Sequence, residues 1–227
     1  ELLQEGIKKV AGVPETAVQM IETREEVQDM LKEEKNINLI VPRGSNEFVK
    51  YIQDNTKIPV LGHSEGICHN YIDKEADIEK AIRIALDSKL QYPAACNAME
   101  NLLVHQGIAS KIIPELVKKF EEKGVSLLGC QKTCEIVAKL PSASESEWDE
   151  EYNDLKLSIK IVEGVDEAIS FINCHGSGHT DTIITENSET AEKFMDGVNS
   201  ASVMCNASTR FADGFRYGLG AEIGIST

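Results

Sequence analysis

Short apolar runs alternate with amphipathic segments along most of this chain, and that alternation constrains its fold more than any single residue does. INLIVP (37–42) leads through a glycine–serine turn into the amphipathic NEFVKYIQDN, and IPVLG follows. CHNYID, ADIEKAIRIALDSK, NLLVH, SKIIPELVKKFEEKG and VSLLG continue the pattern, and LKLSIKIVE, DEAISFINCHG, TIITE, SETAEKFMDGV and SASVMCN repeat it. Strands joined through helices pair in parallel, so the expected class is α/β, with parallel sheets flanked by helices. In the ADIEKA segment, Ile78, Ala81, Ile82, Ala85 and Leu86 fall on one helical face. AVQMIE (17–22) reads as a further strand, and Thr23 with Glu26 makes a capping box for the helix after it. The acidic PSASESEWDEEYND (141–154) reads as a surface loop.

Charge and composition exclude several classes of function. With 23 basic against 38 acidic residues the formal charge is −15, and no basic stripe is present to displace counterions from phosphates, so no nucleic-acid partner is expected. No apolar run reaches the ~18 residues of a membrane helix, so no membrane partner is expected either. Cys130 and Cys134 would share a helix face, but no second pair with zinc spacing follows. Cys68-His69 and Cys174-His175 are adjacent, and neighbours on a strand point to opposite faces. No metal site is expected, and the six cysteines read as reduced thiols. The chain lacks an initiator methionine and closes on the glycine-rich GFRYGLGAEIGIST, so it reads as a piece of a longer protein.

Four segments have residue types suited to chemistry. Cys96, in YPAACNAME (92–100), has a proline, two alanines and an asparagine beside it; a nucleophilic thiol needs such open, polar surroundings, whereas an ordinary free cysteine is simply buried. PRGSNEF (42–48) joins a strand to a helix, and Pro42, Arg43, Gly44 and Ser45 form either an anion site or a plain capped turn. GHSEGICH (62–69) brings His63, Ser64 and Glu65 into a glycine-bracketed turn that reads locally as solvent-exposed. In NASTRFADG (206–214), Asn206, Ser208, Thr209 and Arg210 either hold a carboxylate or cap a turn. His175 and His179 read as structural.

Taken in order, VPRGSNEFV, IPVLGHSEGICH, YID with ADIEKA, YPAACNAMENLLVH, HGSGHTDTIITE and NASTRFADGFRYGLGAEIGIST resemble the glutamate-5-semialdehyde dehydrogenase (gamma-glutamyl phosphate reductase) family of the aldehyde dehydrogenase superfamily. The reductase half of delta-1-pyrroline-5-carboxylate synthase is equally similar. The resemblance implies a fragment with a partial NADPH-binding domain (1–61), a catalytic domain (62–212) and the start of a C-terminal oligomerisation segment (213–227). It places Cys96 at the nucleophile, Pro42 to Ser45 at the cofactor pyrophosphate, Glu151 on the nicotinamide ribose, and Asn206 to Arg210 on the glutamyl carboxylate and amine. Most of the family's cofactor domain would precede Glu1, including a side-chain amide expected to help the oxyanion.

The activity implied is NADPH-dependent reduction of gamma-glutamyl phosphate to glutamate 5-semialdehyde and phosphate, in proline biosynthesis. The alternatives are an oxidising aldehyde dehydrogenase and a catalytically incompetent assembly fragment. The resemblance further implies a homo-oligomer at full length, functional coupling to a glutamate 5-kinase, and a cytoplasmic protein, or a mitochondrial one if it comes from a bifunctional synthase. On this reading Cys96 is accessible and near a helix start, whereas Cys68, Cys130 and Cys205 are mostly buried.

Overall fold

The computed structural model describes residues 2–62 and 65–220, apart from the side chain of Asn46. His63, Ser64 and the tail from 221 to 227 lie outside the described residues. The chain divides into two compact units, Glu1–Gly62 and His63–Thr227.

The first unit contains helices α1 (Leu2–Ile7), α2 (Arg24–Met30) and α3 (Asn46–Asn55). The expected capping box forms: Thr23 accepts from the Glu26 N–H, and Glu26 accepts from the Thr23 N–H. Leu31, Ile40, Ile52 and Ile58 build a small core. Two sequence expectations change here. INLIVP and IPVLG meet only at a single parallel bridge, Ile40 with Val60, rather than as full strands. AVQMIE is not a strand: residues 15–17 form a 3-10 turn, the chain bends at Val18, and 19–22 hold no regular structure. A β run needs a ladder partner for its N–H and C=O groups, and none is present for 18–22 among the described residues.

The second unit is a six-stranded, wholly parallel sheet in the order β3-β4-β2-β1-β5-β6. The chain runs β1 (Cys68–Ile72), α4 (Ile78–Leu90), β2 (Met99–His105), α5 (Gln106–Glu121), β3 (Ser126–Gly129), α6 (Gln131–Ile136), β4 (Lys156–Val162), α7 (Val165–His175), β5 (Thr180–Ile184), α8 (Ser188–Gly197) and β6 (Ser202–Cys205). Helix starts are set locally: Asp77 caps α4 and Asn187 caps α8, each accepting from the N–H three residues on. Two apolar clusters fill the interior. Ile112, Leu116, Phe120 and Leu157 belong to one, and Tyr71, Leu103, Phe171 and Phe194 to the other.

The acidic 141–154 stretch is more than a surface loop. Residues Glu145–Asp149 form a 3-10 turn that drives Trp148 into the second cluster, where it meets Phe171 edge-on at 5.6 Å. Burying one large aromatic ring outweighs the exposure preference of the acidic residues around it. The cysteines are all free; Cys68 is buried, but Cys130 and Cys205 are only half-buried, because each lies at the end of an outer strand.

Candidate active site

In a parallel sheet the residues entering each strand line up along one edge. Here Gly66 precedes β1, Cys96 precedes β2, Glu151 precedes β4 and Ser177 precedes β5. Cys96 occupies a compact turn in which Ala95 N–H donates to the Tyr92 carbonyl and Ala98 N–H to the Ala95 carbonyl. It is half-buried, and it stands at a strand entrance rather than near a helix start. The small Ala94, Ala95 and Ala98 permit that tight path.

The backbone of Cys96 lies directly against Gly66. A Cβ built on Gly66 would fall 1.9 Å from the Cys96 carbonyl oxygen and 2.7 Å from its Cα, so only glycine fits. Cys68 Sγ donates to the same carbonyl at 3.4 Å. Gly66 N–H donates to Glu151 Oε1 at 2.9 Å, and Ile67 N–H to Ser177 Oγ at 2.9 Å. The entrance to β1 is therefore held from two sides, and it carries the Cys96 turn on it. Burial pushes the Cys68 thiol well above its usual pKa, and the Asp181 carboxylate adds to the shift, so Cys68 stays a thiol and a donor.

The segment after β6 starts at the opposite edge and runs back across the sheet. Asn206 (φ 54°) receives the Thr185 N–H on its Oδ1 and donates Nδ2 to the Thr185 carbonyl, so its amide closes the carboxyl end of β5. Thr182 Oγ1 donates to the Ala207 carbonyl. Ser208 Oγ accepts from Ser88 on α4 and from the Arg210 N–H, and the Thr209 N–H donates to Ser88. Asn97 Nδ2 then donates to the Ala212 carbonyl at 2.7 Å, which ties this segment to the residue after Cys96. The guanidinium of Arg210 lies 6.0 Å from the Tyr92 ring centroid. Thr209 Oγ1, Arg210 Nε and Asn97 Oδ1 are buried without a hydrogen-bond partner. The structure thus brings Thr209 and Arg210 towards the Cys96 turn and leaves Asn206 at the far edge.

The first unit carries a separate feature. A cleft of about 500 Å³ is lined by Arg24, Val27, Gln28, Ser45, Glu47, Phe48 and Tyr51. Ser45 caps α3 by accepting from the Phe48 N–H, and Gly44 precedes it. Pro42 is buried, while Arg43 and Gly44 are exposed. Two aromatic side chains, a helix start and a nearby arginine form a surface that fits a flat base and a phosphate.

Residues 2–130 match the aldehyde dehydrogenase family. The chain belongs to that family. This aldehyde dehydrogenase chain is 56% identical over 222 residues to the gamma-glutamyl phosphate reductase of Pelotomaculum thermopropionicum, a match that covers 98% of the chain and 51% of that protein. Its fold superposes with a TM-score of 0.95 on the crystal structure of gamma-glutamyl phosphate reductase from Thermotoga maritima, at 42% identity, over 99% of this chain and 55% of that one. At 19% identity it shares the fold of the glyceraldehyde-3-phosphate dehydrogenase of Methanocaldococcus jannaschii, solved with NADP, with a TM-score of 0.71 over 93% of this chain and 55% of that one. The chain spans about half the length of the curated relatives it matches.

Two groups escaped the sequence reading. His69 Nδ1 meets Asp181 Oδ1 at 2.9 Å, and Asp181 also accepts from the His69 N–H and from Ser200 Oγ, so β1, β5 and the start of β6 are joined. Lys89 Nζ meets Glu100 Oε2 at 2.5 Å with both side chains buried. Both groups had a sequence signal: charged or polar residues inside runs such as CHNYI, TDTII and AMENLLV, where a buried parallel strand is ordinarily apolar.

Proposed function

We propose that this chain is the nucleophile-bearing part of an NADPH-dependent gamma-glutamyl phosphate reductase, which converts gamma-glutamyl phosphate to glutamate 5-semialdehyde and phosphate. The observation that carries the reading is the seat of Cys96, a half-buried thiol in a tight turn pressed on Gly66. The names of relatives about half identical to it support the choice of substrate.

A free carboxylate resists reduction because its carbonyl carbon is electron-rich; an acyl phosphate has a good leaving group. The Cys96 thiolate attacks that carbonyl, the carbon–oxygen bond to phosphate breaks, and a thioester remains on Sγ. The N–H groups flanking Cys96 hold the oxyanion, a contribution of about 3 kcal/mol per donor in comparable sites. Bound NADPH supplies the hydride that reduces the thioester. Collapse of the thiohemiacetal then breaks the C–S bond, releases the aldehyde and restores the thiolate.

Arg210 and Thr209 bind the substrate carboxylate and amine, with Ser208 holding their turn and Asn206 setting where the segment starts. Arg24 and the aromatic walls of the first unit's cleft hold the adenosine side of the cofactor, with Pro42, Arg43, Gly44 and Ser45 shaping the turn beside its pyrophosphate. Glu151 keeps Gly66 in place through Oε1 and offers Oε2 to the nicotinamide ribose. On the same reading the whole protein is a cytoplasmic homo-oligomer fed by a glutamate 5-kinase, and its domains divide near residue 62.

Assay of the whole enzyme in reverse tests the chemistry. Semialdehyde oxidation should require inorganic phosphate; turnover without phosphate would point to a hydrolysing aldehyde dehydrogenase instead.

A further inference from the structure

The nucleophile turn spans residues 91–98, and a buried ion pair closes its base. Lys89 is the penultimate residue of α4 and Glu100 the second of β2, so the pair links the end of α4 to the start of β2 on either side of the turn. Their side chains are 0% and 1% exposed and meet at 2.5 Å. Such a pair is a poor choice for stability alone, because apolar residues of similar volume commonly serve as well or better. Burial pushes the Glu100 carboxyl up to about 7 against the pull of Lys89, and it pushes Lys89 down.

What the pair reaches is more specific than core filling. Glu100 Oε1 accepts from the Asn153 N–H at 3.4 Å. Asn153 lies two residues beyond Glu151, which holds the Gly66 N–H, and Gly66 carries the Cys96 backbone. The contacts therefore form a closed ring: Lys89, the turn with Cys96, Gly66, Glu151, Asn153, Glu100 and back to Lys89. Cys68, Glu151, Tyr152 and Asp154 are the other titratable groups facing the pair, and Tyr152 presents its ring 5.9 Å from Lys89 Nζ.

We infer that Lys89 and Glu100 are positioning residues, a clasp that fixes the geometry of the Cys96 turn through both its ends and through the 151–153 segment. This rests on Cys96 being the nucleophile, as proposed above. It deepens that reading by giving the otherwise unexplained buried pair a task in the site.

The test measures thiol chemistry without turnover, so its failure is separable from failure of the reductase reading. In the intact protein, Cys96 and Cys68 are labelled with a small reagent, iodoacetamide, and a bulky maleimide, and each site is quantified by peptide mass spectrometry. A rigid seat discriminates between the reagents by size, and a loosened turn discriminates less. Lys89→Met and Glu100→Met each leave one buried charge alone, so the double variant Lys89→Met/Glu100→Met is the informative one. It should keep its melting temperature and keep Cys68 protected. Its ratio of bulky to small labelling at Cys96 should rise roughly threefold or more, as expected for lost positioning rather than lost packing. An unchanged ratio in the double variant would overturn the assignment. Labelling of Cys68 along with Cys96 would do so too, since the pair would then serve only the fold as a whole.

Discussion

The two edges of the parallel sheet use similar residue types to opposite ends. At the carboxyl edge, Asp73 accepts from Tyr71, Thr185 and the Glu75 N–H, while Asn206 pairs its amide with the Thr185 backbone. Polar groups there join consecutive crossovers and leave a closed seam. At the amino edge a glycine lets two strand entrances overlap, which holds a thiol half-exposed beside buried polar atoms with no partner. Open α/β sheets generally bind ligands beyond the carboxyl ends of their strands. In this unit the candidate nucleophile is on the other edge, so the edge was chosen by local backbone contact and not by strand direction.

The comparison breaks first at Cys96. In the whole enzyme, Cys96→Ser should lower kcat by orders of magnitude with the fold intact, since a serine alkoxide is far harder to form near neutral pH. Near-normal turnover in steady-state assays would end the thioester reading and the functional contrast between the edges.

Gly66→Ala tests the overlap itself. The added methyl cannot share space with the Cys96 carbonyl, so the turn must move. A loss of about 3 kcal/mol by urea titration is expected, with a large fall in Cys96 alkylation rate or activity. Its counterpart at the closed edge is Asn206→Ala, which removes two hydrogen bonds and an αL-tolerant residue. That variant should lose about 1–3 kcal/mol of stability while kcat stays near that of the parent. If Asn206→Ala lowered kcat and left stability alone, the carboxyl edge would not be the passive one.

Arg210→Lys keeps a cation but loses the planar fork. The KM for the acyl phosphate should rise roughly tenfold, with little change for NADPH, as expected when a charged hydrogen bond weakens. A change in the cofactor constant instead would move Arg210 out of the substrate site.

The smallest effect sharpens the buried pair. Burial pushes the Glu100 carboxyl up from a usual value near 4.5 to about 7. Between those values the folded state holds a proton that the unfolded chain has released, so this group's contribution to stability falls as pH rises through the window. Urea midpoints at about pH 5 and pH 7.5 should therefore show the parent losing stability relative to Lys89→Met/Glu100→Met. Parallel pH profiles for the two proteins would show that the pair titrates as a unit outside this range.

Much of the second unit was legible because its signals are local. Helical periodicity and short apolar strands separated by helices depend on neighbours within a few residues, and both formed there; the Thr23–Glu26 capping box of the first unit formed for the same local reason. The motif order likewise identified the family. Weakly paired segments were not legible in this way. AVQMIE has strand composition but no ladder partner among the described residues, and Trp148 left an acidic loop for a cavity that only the folded chain supplies.

The sequence by itself determined most element types of the second unit, the α/β class and the candidate cysteine, because these follow from side-chain period, capping chemistry and motif content. Tertiary structure alone decided that Gly66, 30 residues before Cys96, is the surface on which the Cys96 turn rests. It likewise decided that Asn206 and Arg210, four apart in sequence, part company, one locked to Thr185 and the other over Tyr92. The reason is physical: close approach, burial of an ion pair and partnering of an amide are properties of atoms brought together through space, and no spacing along the chain encodes them.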